Sequence, residues 1–113
     1  MTDKSFLARP IFEDRHRTLA ETFENWCKSH LPVNHRDVNA ACRRLVVMLG
    51  RDGWLKHIVF DPNVPSPLDV RTLCLMRETL ARHDGLADFS FAMQGLGVAA
   101  IGLFGTKEQK ELL

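Results

Sequence analysis

Hydrophobic residues recur along most of this chain at spacings of three and four, the period of an α-helix, and almost nowhere at a spacing of two. Phe12, Leu19, Phe23, Trp26 and Cys27 form the first such stripe, while Glu13, Asp14, Arg15, Arg17, Glu21, Glu24 and Lys28 lie mostly elsewhere. The spacing predicts a helix over residues 10–31, with Pro10 in its first turn, Glu13 and Asp14 at the positive end of the dipole, and Pro32 as its stop. A second helix is predicted over residues 36–51. Asn34 is its N-cap with Asp37 three residues on, Val38, Ala41, Cys42, Leu45 and Leu49 form its buried stripe, and Gly50 and Gly53 end it.

The pattern then breaks over residues 54–67. Trp54, Leu55, Ile58, Val59 and Phe60 are apolar enough to tuck against a core, with room for a short extended piece near Ile58, but Pro62, Pro65 and Pro67 exclude a continuous helix. A third helix is predicted over residues 67–83, with Ser66 as N-cap and Pro67 and Asp69 in the first turn. Its broad face is Val70, Leu73, Cys74, Met76, Leu80 and Ala81. The fourth helix, over residues 86–104, is apolar nearly all round, as in a central helix packed on several sides. Gly95, Gly97 and Gly102 each cost roughly 0.5–1 kcal/mol there relative to alanine, so close approach by another backbone or a ligand is expected. Thr106 and Gln109 then spell a capping box that starts a fifth helix near Lys107. A helix with a formed start and so little length beyond it is expected of a piece of a longer design, or of a helix that docks on a partner. The fold class expected is all-α, an antiparallel bundle of four to five helices, with residues 1–9 a tail and residues 10–113 one helical domain.

Composition narrows the function classes. Fifteen basic residues face fourteen acidic ones, interspersed, for a net charge of +1; no clustered positive field of the kind nucleic-acid binders carry is visible. The stretch over residues 86–104 contains Asp88, Ser90, Gln94 and three glycines, which is too polar for a membrane span. Three cysteines, Cys27, Cys42 and Cys74, have no disulfide-framework spacing, so free thiols in the cytoplasm are expected.

Several residues are individually suggestive. Cys27, His30 and His35 have loosely zinc-like spacing, but Cys27 falls on a buried stripe, Pro32 intervenes, and a fourth ligand is missing unless Cys42 turns inward. His83 and Asp84 could serve acid–base chemistry; a helix C-terminus followed by an Asp-Gly turn explains both more simply. Gly95-Leu-Gly97 lies inside a helix and not after a strand, so it is no dinucleotide fingerprint. Arg43 and Arg44 read as a solvated face. No serine, cysteine or histidine constellation supports nucleophilic catalysis.

Two runs together resemble a known family. Leu86-Ala-Asp-Phe-Ser-Phe-Ala-Met-Gln-Gly-Leu-Gly97, followed by Ile101-Gly-Leu-Phe-Gly-Thr-Lys-Glu-Gln-Lys110, is similar to the central helix and following turn in the N-terminal domain of acyl-CoA dehydrogenases. Arg77-Glu-Thr-Leu-Ala-Arg82 and Leu49-Gly-Arg-Asp-Gly-Trp-Leu55 fit the same order of elements, and the resemblance runs from Phe12 onward. Complete members also have a middle β domain and a C-terminal helical domain, hold FAD, and remove hydrogens from the α and β carbons of an acyl-CoA thioester. The resemblance implies that Asp88, Ala92, Met93 and Leu96 face the acyl pocket, with Phe89 nearby. The catalytic base and the flavin motifs belong to the other domains, so no catalytic residue carries over, and this chain alone is expected neither to hold FAD tightly nor to turn over. The proline-rich stretch over residues 61–67 departs from the Gly-Gly-containing link usual in the family. Implied partners are the remaining domains or subunit of such an enzyme, further copies of this chain, and the acyl-CoA substrate. The alternative expectation is a helical module that keeps the fold and binds protein without catalysis.

Overall fold

The computed structural model describes residues 3–59 and 68–112. It contains five α-helices: α1, Asp14–His30; α2, Val38–Arg51; α3, Val70–His83; α4, Gly85–Phe104; and α5, Lys107–Glu111. Two 3-10 turns, Ser5–Ala8 and Trp54–Ile58, precede α1 and follow α2. No strand occurs among the described residues, and α1, α3 and α4 pack as neighbours with α2 against α4. The all-α bundle expected from the periodicity is the fold.

Helix starts differ from the expected ones wherever a side chain found a better backbone donor. α1 begins at Asp14, with Glu13 as its N-cap. Its capping box is completed by His16, whose Nδ1 accepts the Glu13 N–H at 2.9 Å. Pro10 lies in the turn ahead of the helix, and the segment before it is tied down by the Arg17 guanidinium, which donates to the carbonyls of Leu7 and Phe12. α2 is capped by Asp37, which accepts from Ala40 N–H at 3.1 Å, and Asn34 instead accepts from the Arg36 N–H. α3 starts at Val70 with Asp69 as N-cap, later than expected; Ser66 and Pro67 lie outside the described residues. Residues 54–58 form a 3-10 turn and no extended piece, entered through Gly53 at φ 85°, a left-handed conformation that glycine tolerates without strain. The predicted capping box at Thr106 and Gln109 forms, with both reciprocal bonds present.

The core is built from Phe23, Cys27 and Leu31, Leu45 and Leu49, Ile58, Met76 and Leu80, and Ala87 and Phe91. On α3 the buried face is rotated from the expected one. Thr72, Leu75 and Thr79 turn inward, whereas Val70, Cys74 and Ala81 are exposed. Two charged or titratable residues of α1 are also buried, His16 and Glu24, because partners from α3 meet them there.

α4 is packed on several sides, as expected, against α2, α3 and the turn over Trp54–Ile58, but one side of it is left uncovered. The molecule extends 45 × 41 × 18 Å, and its shortest dimension holds about two helix layers at the usual 8–10 Å spacing. In such a slab α4 buries Ala87, Ser90, Phe91 and Gly102. Its other side leaves Phe89, Met93, Leu103 and Phe104 between 44% and 87% exposed, and Leu96 on its flank is 70% exposed. Gly95 and Gly97 are not explained by close approach of another element. A Cβ at Gly95 would make only ordinary contact with Ile58, at 3.7 Å, and one at Gly97 would meet nothing within 4 Å.

Candidate functional site

α3 and α4 are joined through one residue, Asp84, which makes them an antiparallel hairpin. Asp84 is buried, caps α4 by accepting the Leu86 N–H at 3.0 Å, and accepts the Val33 N–H at 3.0 Å. His35 Nε2 lies 2.9 Å from Oδ1, the oxygen that also caps α4. Burial opposes its ionisation, but these donors outweigh that and hold the carboxyl below the usual aspartate range. Asp84 therefore pins the start of α4 to the loop between α1 and α2, and His83 pairs with Glu24 at 3.0 Å.

Along this hairpin runs an open groove of about 260 Å³. Phe91, Ala92, Gly95, Leu96 and Ala99 of α4 form one wall, and Leu68, Leu73 and Arg77 with Ile58 form the other. Among the described residues Arg77 is the single charged one in the lining. Its Nε and Nη2 donate to the two carboxylate oxygens of Asp88 at 2.9 and 3.0 Å. This two-pronged pair raises the Arg77 pKa and uses the charge that a ligand would otherwise find.

The residues expected to face an acyl pocket are thus divided. Ala92 and Leu96 line the groove. Asp88 reaches it only through Arg77. Phe89 and Met93 lie on the outward side of α4, 57% and 44% exposed. Sequence reasoning missed Arg77, Leu68, Phe91 and Ala99 as lining, offered Gly95 only as a point of close approach, and read Leu73 and Ile58 only as core contacts. A readable signal existed, since a one-residue joint forces the end of α3 to run beside the start of α4.

A larger hollow of about 380 Å³ lies between the N-terminal turn, α1 and α3. Its charges satisfy one another. Glu24 accepts from Arg82 at 3.0 and 3.3 Å and sits 3.8 Å from Lys4, while Arg82 also holds Glu78. Burial opposes the charge on Glu24, yet Arg82 and His83 hold its carboxyl at about 2. The network around Glu24 and Arg82 is a joint between elements. A similar joint ties α1 to α3. The buried His16, its Nδ1 occupied by the Glu13 N–H, directs Nε2 to Asp69 at 3.1 Å, and Arg15 pairs with the same carboxylate. Asp69 is held low despite its burial, chiefly by Thr72, Arg15 and His16.

The residues with zinc-like spacing are dispersed. Cys27 is in the core, where burial pushes its thiol up to about 12, His30 bonds the Trp26 carbonyl, and His35 pairs with Asp84. Among the described residues no group of three or more metal-ligating side chains gathers.

Residues 13–113 match the family described as acyl-CoA dehydrogenase, N-terminal domain. No curated protein matches the chain.

Proposed function

Because this chain belongs to the acyl-CoA dehydrogenase N-terminal domain family, we propose that it supplies one wall of the acyl-binding pocket in an FAD-dependent acyl-CoA dehydrogenase. The observation that carries this reading is the apolar groove between α3 and α4. Ala92, Gly95 and Ala99 keep the α4 side shallow-walled, and Leu73, Phe91, Leu96 and Ile58 offer apolar contact. An alkyl chain laid there exchanges water for hydrocarbon at about 25 cal/mol per Å² of surface covered. The groove does not suit a flavin dinucleotide, whose diphosphate needs converging donors; among the described residues the only charge in the lining is already paired with Asp88. The flavin, which accepts the hydride in the complete enzyme, is therefore assigned to the remaining domains or subunit, and no step is assigned to it here.

The exposed apolar side of α4 supports the same reading, since an uncovered stripe of this length favours association. It equally supports a second reading, a helical module that binds protein without catalysis. Purification of the chain from its native source under mild conditions, with flavin absorbance recorded, separates the two. Co-purification with a larger flavin-bearing chain supports the dehydrogenase reading. A colourless monomer or homo-oligomer rejects it in favour of the second. Oxidation of acyl-CoA by the isolated chain would overturn the assignment of chemistry to other domains. Free cysteines fit a reducing compartment, and we place the protein in the cytoplasm on that ground.

A further inference from the structure

We propose that Arg77, held in position by Asp88, is a specificity-determining residue that limits the length of alkyl chain the groove accepts; this rests on the acyl-groove reading above. As the chain is followed backwards from Arg77 through Leu73 of α3 to Leu68 just ahead of it, α4 runs forward from Asp88 to Ala92 and Ala99. The charged pair therefore stands at one end of the lining, and Leu68 and Ala99 stand at the other. Asp88 and Ala99 are eleven residues apart, about 16 Å along the helix axis. Over that length the lining is hydrocarbon until it meets the guanidinium.

The pair is built to stay closed. Two parallel N–H···O bonds fix the plane of the guanidinium, and the Asp88 side chain is only 17% exposed. A chain long enough to reach it must either strip water from a charged pair while offering no hydrogen bond in return, or bend out of the groove. Arg77 is not free to serve as an anion receptor, because Asp88 already meets both prongs. Asp88 acts through Arg77 and is a positioning residue.

The test is a titration of the full chain with saturated acyl-CoA thioesters, from butanoyl to hexadecanoyl, by calorimetry. Each methylene buried adds up to about fourfold in affinity, so binding should strengthen with length and then level off at a limit. Arg77→Ala should move that limit outward by about two methylenes, giving about tenfold tighter binding of thioesters just beyond the wild-type limit. Asp88→Asn should move it in the same direction by releasing the guanidinium. Neither should change the denaturation midpoint much, since Arg77 is 54% exposed and a pair open to water on that side contributes little to folding. Arg77→Gln replaces Arg77→Ala if the latter fails to fold. Binding with an unmoved limit in all variants overturns the inference and leaves the acyl-groove reading standing. Absence of binding at any chain length overturns the acyl-groove reading, and the inference with it.

Discussion

Replacing Glu24 with glutamine removes a charge on which three parts of the fold converge. In the native chain its carboxylate meets Arg82 and His83 at the end of α3 and Lys4 ahead of α1. Burial alone would raise its pKa, yet the carboxyl sits at about 2 against an ordinary 4.5. At about 1.36 kcal/mol per pKa unit, that depression corresponds to about 3 kcal/mol of folding stability. Arg82 retains Glu78 in the variant, so the expected loss is about 2–3 kcal/mol, below the full cost of stranding a buried charge. A depressed folded-state pKa contributes stability that is complete above the unfolded value and is lost as pH falls through the folded one. The gap between wild type and Glu24→Gln should therefore be full at about pH 7 and close steadily between about pH 4.5 and pH 2. Urea denaturation of both proteins across that range measures it. Asp69 and Asp84, also held low, weaken both proteins in acid alike, so the difference isolates Glu24. A gap that stays constant as pH falls would refute the electrostatic account and point to packing alone.

Three further outcomes follow from the same structure. Phe91→Ala empties a site that is 1% exposed at the α4 contact with the core, and denaturant titration should show a loss of about 3–5 kcal/mol. Gly53→Ala introduces a Cβ with nothing within 4 Å but at φ +85°, so the backbone alone should destabilise the chain by about 1–2 kcal/mol. A thiol reagent at neutral pH should modify exposed Cys74 first and Cys27 only on unfolding, because Cys27 is buried with its thiol pushed up to about 12; early reaction of Cys27 would show that the core opens locally.

The amino-acid sequence by itself determined the helices and the family. Periodicity placed the first four, because apolar residues recurring at three and four mark a helix whatever it packs against, and a local capping box placed the fifth. The Thr106–Gln109 box was legible because both of its partners are local. What the tertiary structure decided was every feature that depends on a distant partner. Asp69 rather than Ser66 heads α3, where it also meets Arg15 and His16 of α1. Glu24 and His16 are buried because α3 brings groups that satisfy them. The groove belongs to the same class. Arg77 and Asp88 are each an ordinary charged residue in the sequence, and they become the end of an apolar trough only when the joint at Asp84 sets α3 beside α4. The outward side of α4 is apolar without being buried, since hydrophobic pattern registers the need for cover and a slab of two helix layers leaves one side open.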